Sequence, residues 1–231
     1  MKITWLGHAS FRIEIGGQVL LVDPWLEGNP VFPADRYDDA VAGATHILLT
    51  HGHGDHASNA LAIAKAGKIP ILCIHEIAEF WSASEGVDCV GFGKGGTVTL
   101  GDVKVTMVNA THSSSLDFTG GAPMHAGSEA GFMIAGEGHV IYVSGDTDIM
   151  ADMEWMGDYH EPDIGILCCG GHYTMDMDRA AYAAKKYFDF KMIIPCHYKT
   201  FPILAQSAQP LVDALPDIDV LTPAVMEVIE I

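Results

Sequence analysis

His46-Ile47-Leu48-Leu49-Thr50-His51-Gly52-His53-Gly54-Asp55-His56 is the stretch on which the fold turns. Residues 46–50 are a short apolar run without polar alternation, the pattern of a strand buried on both faces. Three imidazoles and a carboxylate follow within six residues. The two glycines between them are expected to let the backbone turn sharply and approach a bound ion. Borderline divalent metals take imidazole and carboxylate ligands, and one loop at the end of a rigid strand can present several together. Four neighbours on one tight turn do not easily surround a single tetrahedral ion, whereas two adjacent ions could share the loop. A solvated histidine-rich turn would not explain the buried strand that leads into it.

On the N-terminal side, residues 2–6, 11–15 and 19–22 read as short strands. Gly16-Gly17 is a two-residue hairpin signal between the last two. Asp23-Pro24 ends this meander and opens a loop through Asp39. On the C-terminal side, a helix is expected from Asn59, a strand over residues 69–74 and a helix over 75–83. Further strands are expected at 97–100, 103–108, 131–135, 140–143 and 164–168. Residues 178–188 read as a helix capped by Asp178, and 207–215 as another. Late strands fall at 192–195, 220–221 and 225–229. Residues 114–128, rich in glycine and poor in long apolar side chains, are expected to be the mobile segment. Hairpin-rich strand groups with helices between them call for two packed sheets flanked by helices.

Composition narrows the classes. The 231 residues show no composition break or linker, so one domain over 1–231 is expected. Apolar residues make up 49%, enough for a substantial core, and no run is long enough to span a membrane. A strand-like run begins directly after Met1-Lys2 and no secretory signal is visible, so the cytoplasm is the expected compartment. Twelve basic against 30 acidic residues give a net charge of −18 with neutral histidines. Such a surface repels phosphate backbones and anionic membranes, so neither nucleic acid nor membrane is an expected partner. The cysteines, Cys73, Cys89, Cys168, Cys169 and Cys196, are odd in number and lack CxxC spacing, so reduced thiols are expected.

The HxHxDH pattern of residues 51–56 after a buried strand resembles the signature of the metallo-β-lactamase superfamily. The likeness extends to Trp5-Leu6-Gly7-His8-Ala9-Ser10-Phe11, Leu21-Val22-Asp23-Pro24-Trp25, Ala110-Thr111-His112-Ser113-Ser114, Ser144-Gly145-Asp146-Thr147 and Pro195-Cys196-His197-Tyr198-Lys199-Thr200-Phe201-Pro202. These blocks come in family order across nearly the whole chain. They resemble the metal-dependent hydrolase branch related to ascorbate-6-phosphate lactonases and, more distantly, to N-acylphosphatidylethanolamine phospholipase D. The resemblance implies an α/β (α+β) fold, a four-layer αββα sandwich with a dinuclear site at one edge. By motif, His51, His53 and His112 would hold one metal, and Asp55, His56 and His197 the second, with Asp146 bridging. All seven lie at or just beyond the end of an expected strand, where distant segments can converge.

The expected reaction is hydrolysis of an ester, lactone or phosphoester of a small metabolite by a hydroxide bridging two divalent ions, zinc first and manganese or iron as alternatives. Asp55 would be both ligand and acceptor that orients the hydroxide. Two divalent ions against two ligand carboxylates leave the site locally cationic, so an anionic small molecule is compatible with an acidic protein. His8 is a candidate donor to a substrate oxygen, and Asp23 a candidate support behind the ligands. His172 and Thr174, after the strand at 164–168, are candidate substrate contacts, and Lys199 a candidate anion binder. His125 could close over the site with its loop, and Trp25 and Phe32 could line its mouth. The competing classes are a di-iron redox protein, which in relatives uses a glutamate in the first motif and a flavin domain, and a non-catalytic metal-binding module. Assembly into a homo-oligomer is compatible with the sequence.

Overall fold

A computed structural model describes residues 1–231. In chain order the strands are β1 (Lys2–Gly7), β2 (Ser10–Ile15), β3 (Gln18–Val22), β4 (His46–Leu48), β5 (Ile71–Ile74), β6 (Cys89–Phe92), β7 (Thr97–Leu100), β8 (Val103–Asn109), β9 (Ser115–Leu116), β10 (Met124–His125), β11 (Ala130–Gly136), β12 (His139–Val143), β13 (Ile164–Cys168), β14 (Met192–Cys196), β15 (Asp219–Val220) and β16 (Val228–Glu230). The helices are α1 (Tyr37–Val41), α2 (Gly54–Ala57), α3 (Ala60–Gly67), α4 (His75–Glu85), α5 (Met153–His160), α6 (Met177–Tyr187) and α7 (Gln209–Ala214).

Two seven-stranded sheets face each other, ordered β16-β1-β2-β3-β4-β5-β6 and β15-β14-β13-β12-β11-β8-β7. Each grows from an antiparallel meander and ends in parallel additions: β4, β5 and β6 beside β3, and β13, β14 and β15 beside β12. This register explains the sequence pattern. Meander strands alternate, as in β8, whereas β5 and β13 are buried at every position. Gly16 and Gly17 both take positive φ, 55° and 75°, as the expected two-residue turn between β2 and β3 requires.

The core between the sheets is continuous and aromatic-rich. Phe92 of β6 stacks on Phe132 of β11 at 6.2 Å, and Trp5 of β1 stacks on Tyr198 beyond β14 at 5.3 Å. Helix α4 packs on β5 and β6, and α5, α6 and α7 pack side by side on the other flank. The result is the αββα sandwich. No helix is long and apolar enough to cross a membrane.

Strand direction positions the site. β1, β3 and β4 run the same way in one sheet, as do β8, β12, β13 and β14 in the other. Their C-terminal ends carry His8, Asp23, His51, His112, Asp146 and His197, so residues distant in sequence converge at the strand ends, where ligands of open α/β sheets bind.

The structure corrects several local expectations. The cap of α6 is Asp176, whose carboxylate accepts the Arg179 N–H at 2.9 Å; Asp178 lies inside the first turn. The loop expected through Asp39 contains a 3-10 turn, Ala34–Arg36, and α1. Neither has a side-chain cap and only Ala40 is buried, so little periodicity betrays them. Helix α5 and strand β6 were not expected either; α5 buries only Met153 and Met156, too few for a helical stripe. Residues 114–128 are not a plain loop, because β9 and β10 pair there as an antiparallel hairpin.

Candidate metal centre

His51 and His53 extend from β4, and α2 delivers Asp55 and His56 one turn later. The glycines of this loop do not act as expected. Neither Gly52 nor Gly54 takes a positive φ. They are small because the β9–β10 hairpin lies against them. A Cβ on Gly52 would come within 3.0 Å of the Ser115 carbonyl oxygen, and one on Gly54 within 3.3 Å of Asp117 Oδ1 and Phe118 Cβ. The hairpin also takes their N–H groups: Gly52 donates to Ser114 Oγ at 3.3 Å and Gly54 to Asp117 Oδ1 at 2.8 Å.

The side chains gather into two adjoining groups. The ligand atoms of His51, His53 and His112 all lie within 4.8 Å of one another, as do those of Asp55, His56 and His197 together with His8. Asp146 stands between the groups. Its Oδ2 is 3.0 Å from His197 Nε2, 3.4 Å from His56 Nε2 and 3.6 Å from His112 Nε2. Ligand atoms at about 2.0–2.1 Å from one tetrahedral ion stand about 3.3 Å apart, and these separations bracket that value. His56 Nε2 and His197 Nε2 make no hydrogen bond despite their closeness to the carboxylate, and Asp146 Oδ1 and His197 Nδ1 are likewise buried without partners. Unpartnered buried polar atoms are costly and rare. His56 Nε2 and His197 Nε2, which face the Asp146 carboxylate, are side-chain atoms of metal-binding chemistry left free at one place, and they fit a bound metal.

A layer behind these groups fixes their protons. Asp23, buried after β3, accepts the Thr50 N–H on Oδ1 at 2.8 Å, and on Oδ2 both the Thr50 hydroxyl at 2.6 Å and His56 Nδ1–H at 2.8 Å. Because the Thr50 proton is committed to Asp23, Thr50 Oγ1 accepts from His51 Nδ1–H, 3.0 Å away. Both imidazoles therefore turn an Nε2 lone pair toward the cluster, as ligating histidines require.

The electrostatics follow from burial and proximity. Burial drives the His51 imidazole well below its usual pKa, with the neighbouring His56 adding to the effect. Burial lowers His112 too. Burial also opposes protonation of His56, but the carboxylates of Asp146, Asp55 and Asp23 outweigh it and hold that imidazole well above its usual range. Burial disfavours the charged form of Asp146, yet His197 and His56 overcome it and keep the carboxyl well below the usual carboxylate range. Asp55 is held low in the same way, with His56 and His8 overcoming its burial. Its side chain keeps 25% exposure against 2% for Asp146, so Asp55 is the carboxylate an entering molecule can reach.

The remaining candidates are placed less centrally. His8 is fully buried, with one ring nitrogen on Asp55 and the other on Thr200, which leaves no nitrogen for a substrate oxygen. His172 is exposed at φ 55°, stacked edge-on against Tyr173, and belongs to neither ligand group. The Thr174 hydroxyl donates to the Met175 carbonyl at 3.2 Å. Lys199 is exposed, with its ammonium 5.2 and 5.8 Å from the Tyr198 and Trp5 ring centroids. His125 is exposed on the hairpin, where Nδ1 accepts the Gly127 N–H. Phe32 is buried, whereas Trp25 is half-buried and stacks on Phe201 at 5.7 Å. All five cysteines are free, and burial pushes the Cys168 thiol up to about 11. The sequence reading missed Thr50, Thr200, Ser114 and Asp117. A cavity of about 970 Å³ between α5 and α6, lined by Trp155, Lys186 and Tyr187, includes no residue of the cluster.

With this geometry in hand, similarity to known proteins is decisive. The family described as the β-lactamase superfamily domain matches residues 18–198. A UPF0173 metal-dependent hydrolase of Dinoroseobacter shibae is 68% identical over the full length of both chains. The chain belongs to the metallo-β-lactamase superfamily, among its metal-dependent hydrolases. A second protein of that name, from Paracoccus denitrificans, is 65% identical over 98% of each chain. Among solved structures, Igni18, a metallo hydrolase of the archaeon Ignicoccus hospitalis, superposes with a TM-score of 0.85 at 28% identity, covering 99% of this chain and 97% of the other.

Proposed function

We propose that this metallo-β-lactamase superfamily member is a dinuclear hydrolase that cleaves an ester, lactone or phosphoester bond of a small metabolite. His51, His53 and His112 would hold one divalent ion and Asp55, His56 and His197 the other, with Asp146 shared. The carrying observation is the place of Asp146 Oδ2, within 3.6 Å of an imidazole nitrogen from each group. The all-nitrogen-and-oxygen donor set suits zinc, and also manganese or iron. Two such ions would bring the pKa of a shared water toward neutrality and polarise the scissile oxygen.

The protein's own side chains supply the rest. Asp55, half-buried beside the second group, orients the water and accepts its hydrogen bond. Asp23 and Thr50 keep the imidazoles of His56 and His51 in the ligating tautomer. The hairpin of β9 and β10 braces the loop from the other side. The resemblance of the motif blocks to lactonase- and phosphodiesterase-like relatives supports a lactone or phosphodiester as the first substrates to try.

Elemental analysis of the purified chain, paired with assays on a chromogenic ester, a lactone panel and bis-p-nitrophenyl phosphate, tests the reading. About two ions per chain and hydrolysis lost on chelation and regained with zinc or manganese are expected. A single ion at saturation, or turnover indifferent to chelator, would refute it.

A further inference from the structure

His8 follows β1 with φ 55°, in the left-handed region that a side chain normally avoids. Such a conformation persists where its surroundings over-determine it, and four hydrogen bonds do so here. The His8 carbonyl accepts Trp5 Nε1–H at 2.9 Å and the His197 N–H at 3.0 Å. Its ring places Nδ1 2.5 Å from Thr200 Oγ1 and Nε2 3.0 Å from Asp55 Oδ2. The ring is enclosed by His197 at 3.9 Å, Trp25 at 5.2 Å and Phe201 at 5.5 Å. Glycine would relieve the backbone at position 8, so the retained side chain points to a task for the ring.

The hydrogen-bond accounting identifies that task. An ionised carboxylate only accepts, so the nitrogen facing Asp55 Oδ2 must carry a proton. The opposite neutral tautomer would set a lone pair against a carboxylate. His8 Nε2 therefore has no lone pair for an ion, although it lies among the ligand atoms of Asp55, His56 and His197. Thr200, on the far side of the ring, sets its rotation.

We propose that His8 is a positioning residue: held by Thr200, its Nε2–H pins Asp55 Oδ2 and so aims the Asp55 carboxylate at the reacting water without ligating metal. This rests on the hydrolase reading above. It also assigns the pair His8 and Thr200, rather than a substrate contact, to the motif blocks at the two ends of the chain.

Nitrogen-15 NMR of the zinc-loaded, histidine-labelled full-length protein reads the ring directly and needs no substrate. Protonated Nε2 at position 8 is expected; a bare, metal-shifted Nε2 overturns the proposal. Kinetics of the zinc-loaded variants on p-nitrophenyl acetate and bis-p-nitrophenyl phosphate form the second arm. His8→Leu should keep both ions and lose about 100-fold in kcat with KM little changed, the scale of a misaimed catalytic group. His8→Gln, whose amide can donate from the place of Nε2, should recover most of that loss, and Thr200→Val should fall between. An ion lost with His8→Leu, or His8→Gln no better than His8→Leu, overturns it. If the wild-type chain hydrolyses neither substrate nor any lactone of the panel above, the hydrolase reading fails, while the NMR and the ion count still decide the role of His8.

Discussion

Asp23→Asn is the sharpest perturbation of the metal centre, because it replaces one accepting oxygen by a donor and removes one charge at almost no change in volume. The native carboxylate accepts three hydrogen bonds: Thr50 N–H on Oδ1, and the Thr50 hydroxyl and His56 Nδ1–H on Oδ2. An amide has one accepting oxygen. If that oxygen faces His56 and the Thr50 hydroxyl, the amide NH2 opposes the Thr50 N–H. If it faces the Thr50 N–H, the NH2 opposes His56 Nδ1–H and drives the ring proton onto Nε2, where an ion should bind. Either orientation leaves one buried donor unmatched, at a cost of about 1–3 kcal/mol. With about 1.4 kcal/mol per factor of ten, the second orientation weakens the ion at His56 by roughly 10–100-fold, the range found when partners behind metal ligands are replaced.

The assay is competition between the protein and a chelator of known zinc affinity, with each ion resolved, alongside thermal melts with and without zinc. On the proposed dinuclear reading, the ion that Asp55, His56 and His197 would hold should weaken most. The ion at His51 should weaken less, because Asp23 reaches it only through Thr50. The zinc-dependent rise in melting temperature should shrink in step. Both ions bound at wild-type affinity in Asp23→Asn and Asp23→Ala would refute the argument that this carboxylate sets the tautomers.

Asp55→Ala should keep its fold by circular dichroism and lose about 10²–10⁴-fold in hydrolysis; a wild-type rate would remove Asp55 from the mechanism. Asp117→Ala unties the Gly54 N–H at the start of α2, the helix that bears Asp55 and His56, and should weaken the second ion while Asp117→Asn, still an acceptor, should not; equal affinity in all three proteins would count against the hairpin brace. Metal-free stability should depend on pH from both sides. Asp146 and Asp55 are held below their usual range, so their contribution is complete above about pH 4 and is lost as the pH falls further. His56 is held above its usual range, so its contribution is complete below about pH 6.5 and is lost as the pH rises through its raised value. Burial holds the His51 and His112 imidazoles below their usual range, so keeping them neutral costs stability as the pH falls below about 6.5, and melts in excess chelator should therefore peak near pH 6.5. Zinc, which must displace the His56 proton, should bind more tightly as pH rises toward that raised value; affinity independent of pH would contradict the assignment.

The chain announced its strands and its metal-binding side chains unevenly, for physical reasons. The run 46–50 is legible because a strand buried on both faces tolerates no polar alternation, and the side chains of His51, His53, Asp55 and His56 follow it without a gap. His112, Asp146 and His197 each stand after an apolar run, but singly they read as ordinary loop residues, and it is the resemblance of their motif blocks to the superfamily that implied a shared site. Asp117 and Thr200 were not legible. Each acts across a long sequence separation, Asp117 on Gly54 and Thr200 on His8, and neither changes the local pattern of its own segment. The glycines of the metal loop were misread for the same reason: locally they look like turn residues, and only the hairpin 60 residues away shows that the space above them is filled. The αL histidines His8 and His197, at φ 55° and 58°, leave no sequence signature either.

The molecule satisfies its polar groups almost everywhere and departs from that rule chiefly in one region. Of six buried side-chain atoms without a hydrogen-bond partner, four belong to His56, Asp146 and His197. Around them the network is complete: Asp23 uses both oxygens, Thr50 both donates and accepts, and His8 uses both nitrogens. Part of the unmet polar capacity is therefore gathered, by fully bonded neighbours, onto His56 Nε2 and His197 Nε2, which both turn toward Asp146. Buried carboxylates such as Asp146 persist only when cations face them. Protonated imidazoles can supply that charge, but of the three imidazole nitrogens at 3.0–3.6 Å from Asp146 Oδ2, those of His56 and His197 make no hydrogen bond to it and that of His112 stands 3.6 Å away. Metal bound among the nitrogens, rather than protons on them, would satisfy the carboxylate and the lone pairs together. That argument makes an acidic chain with a charge of −18 a metalloenzyme for a reason independent of its motif.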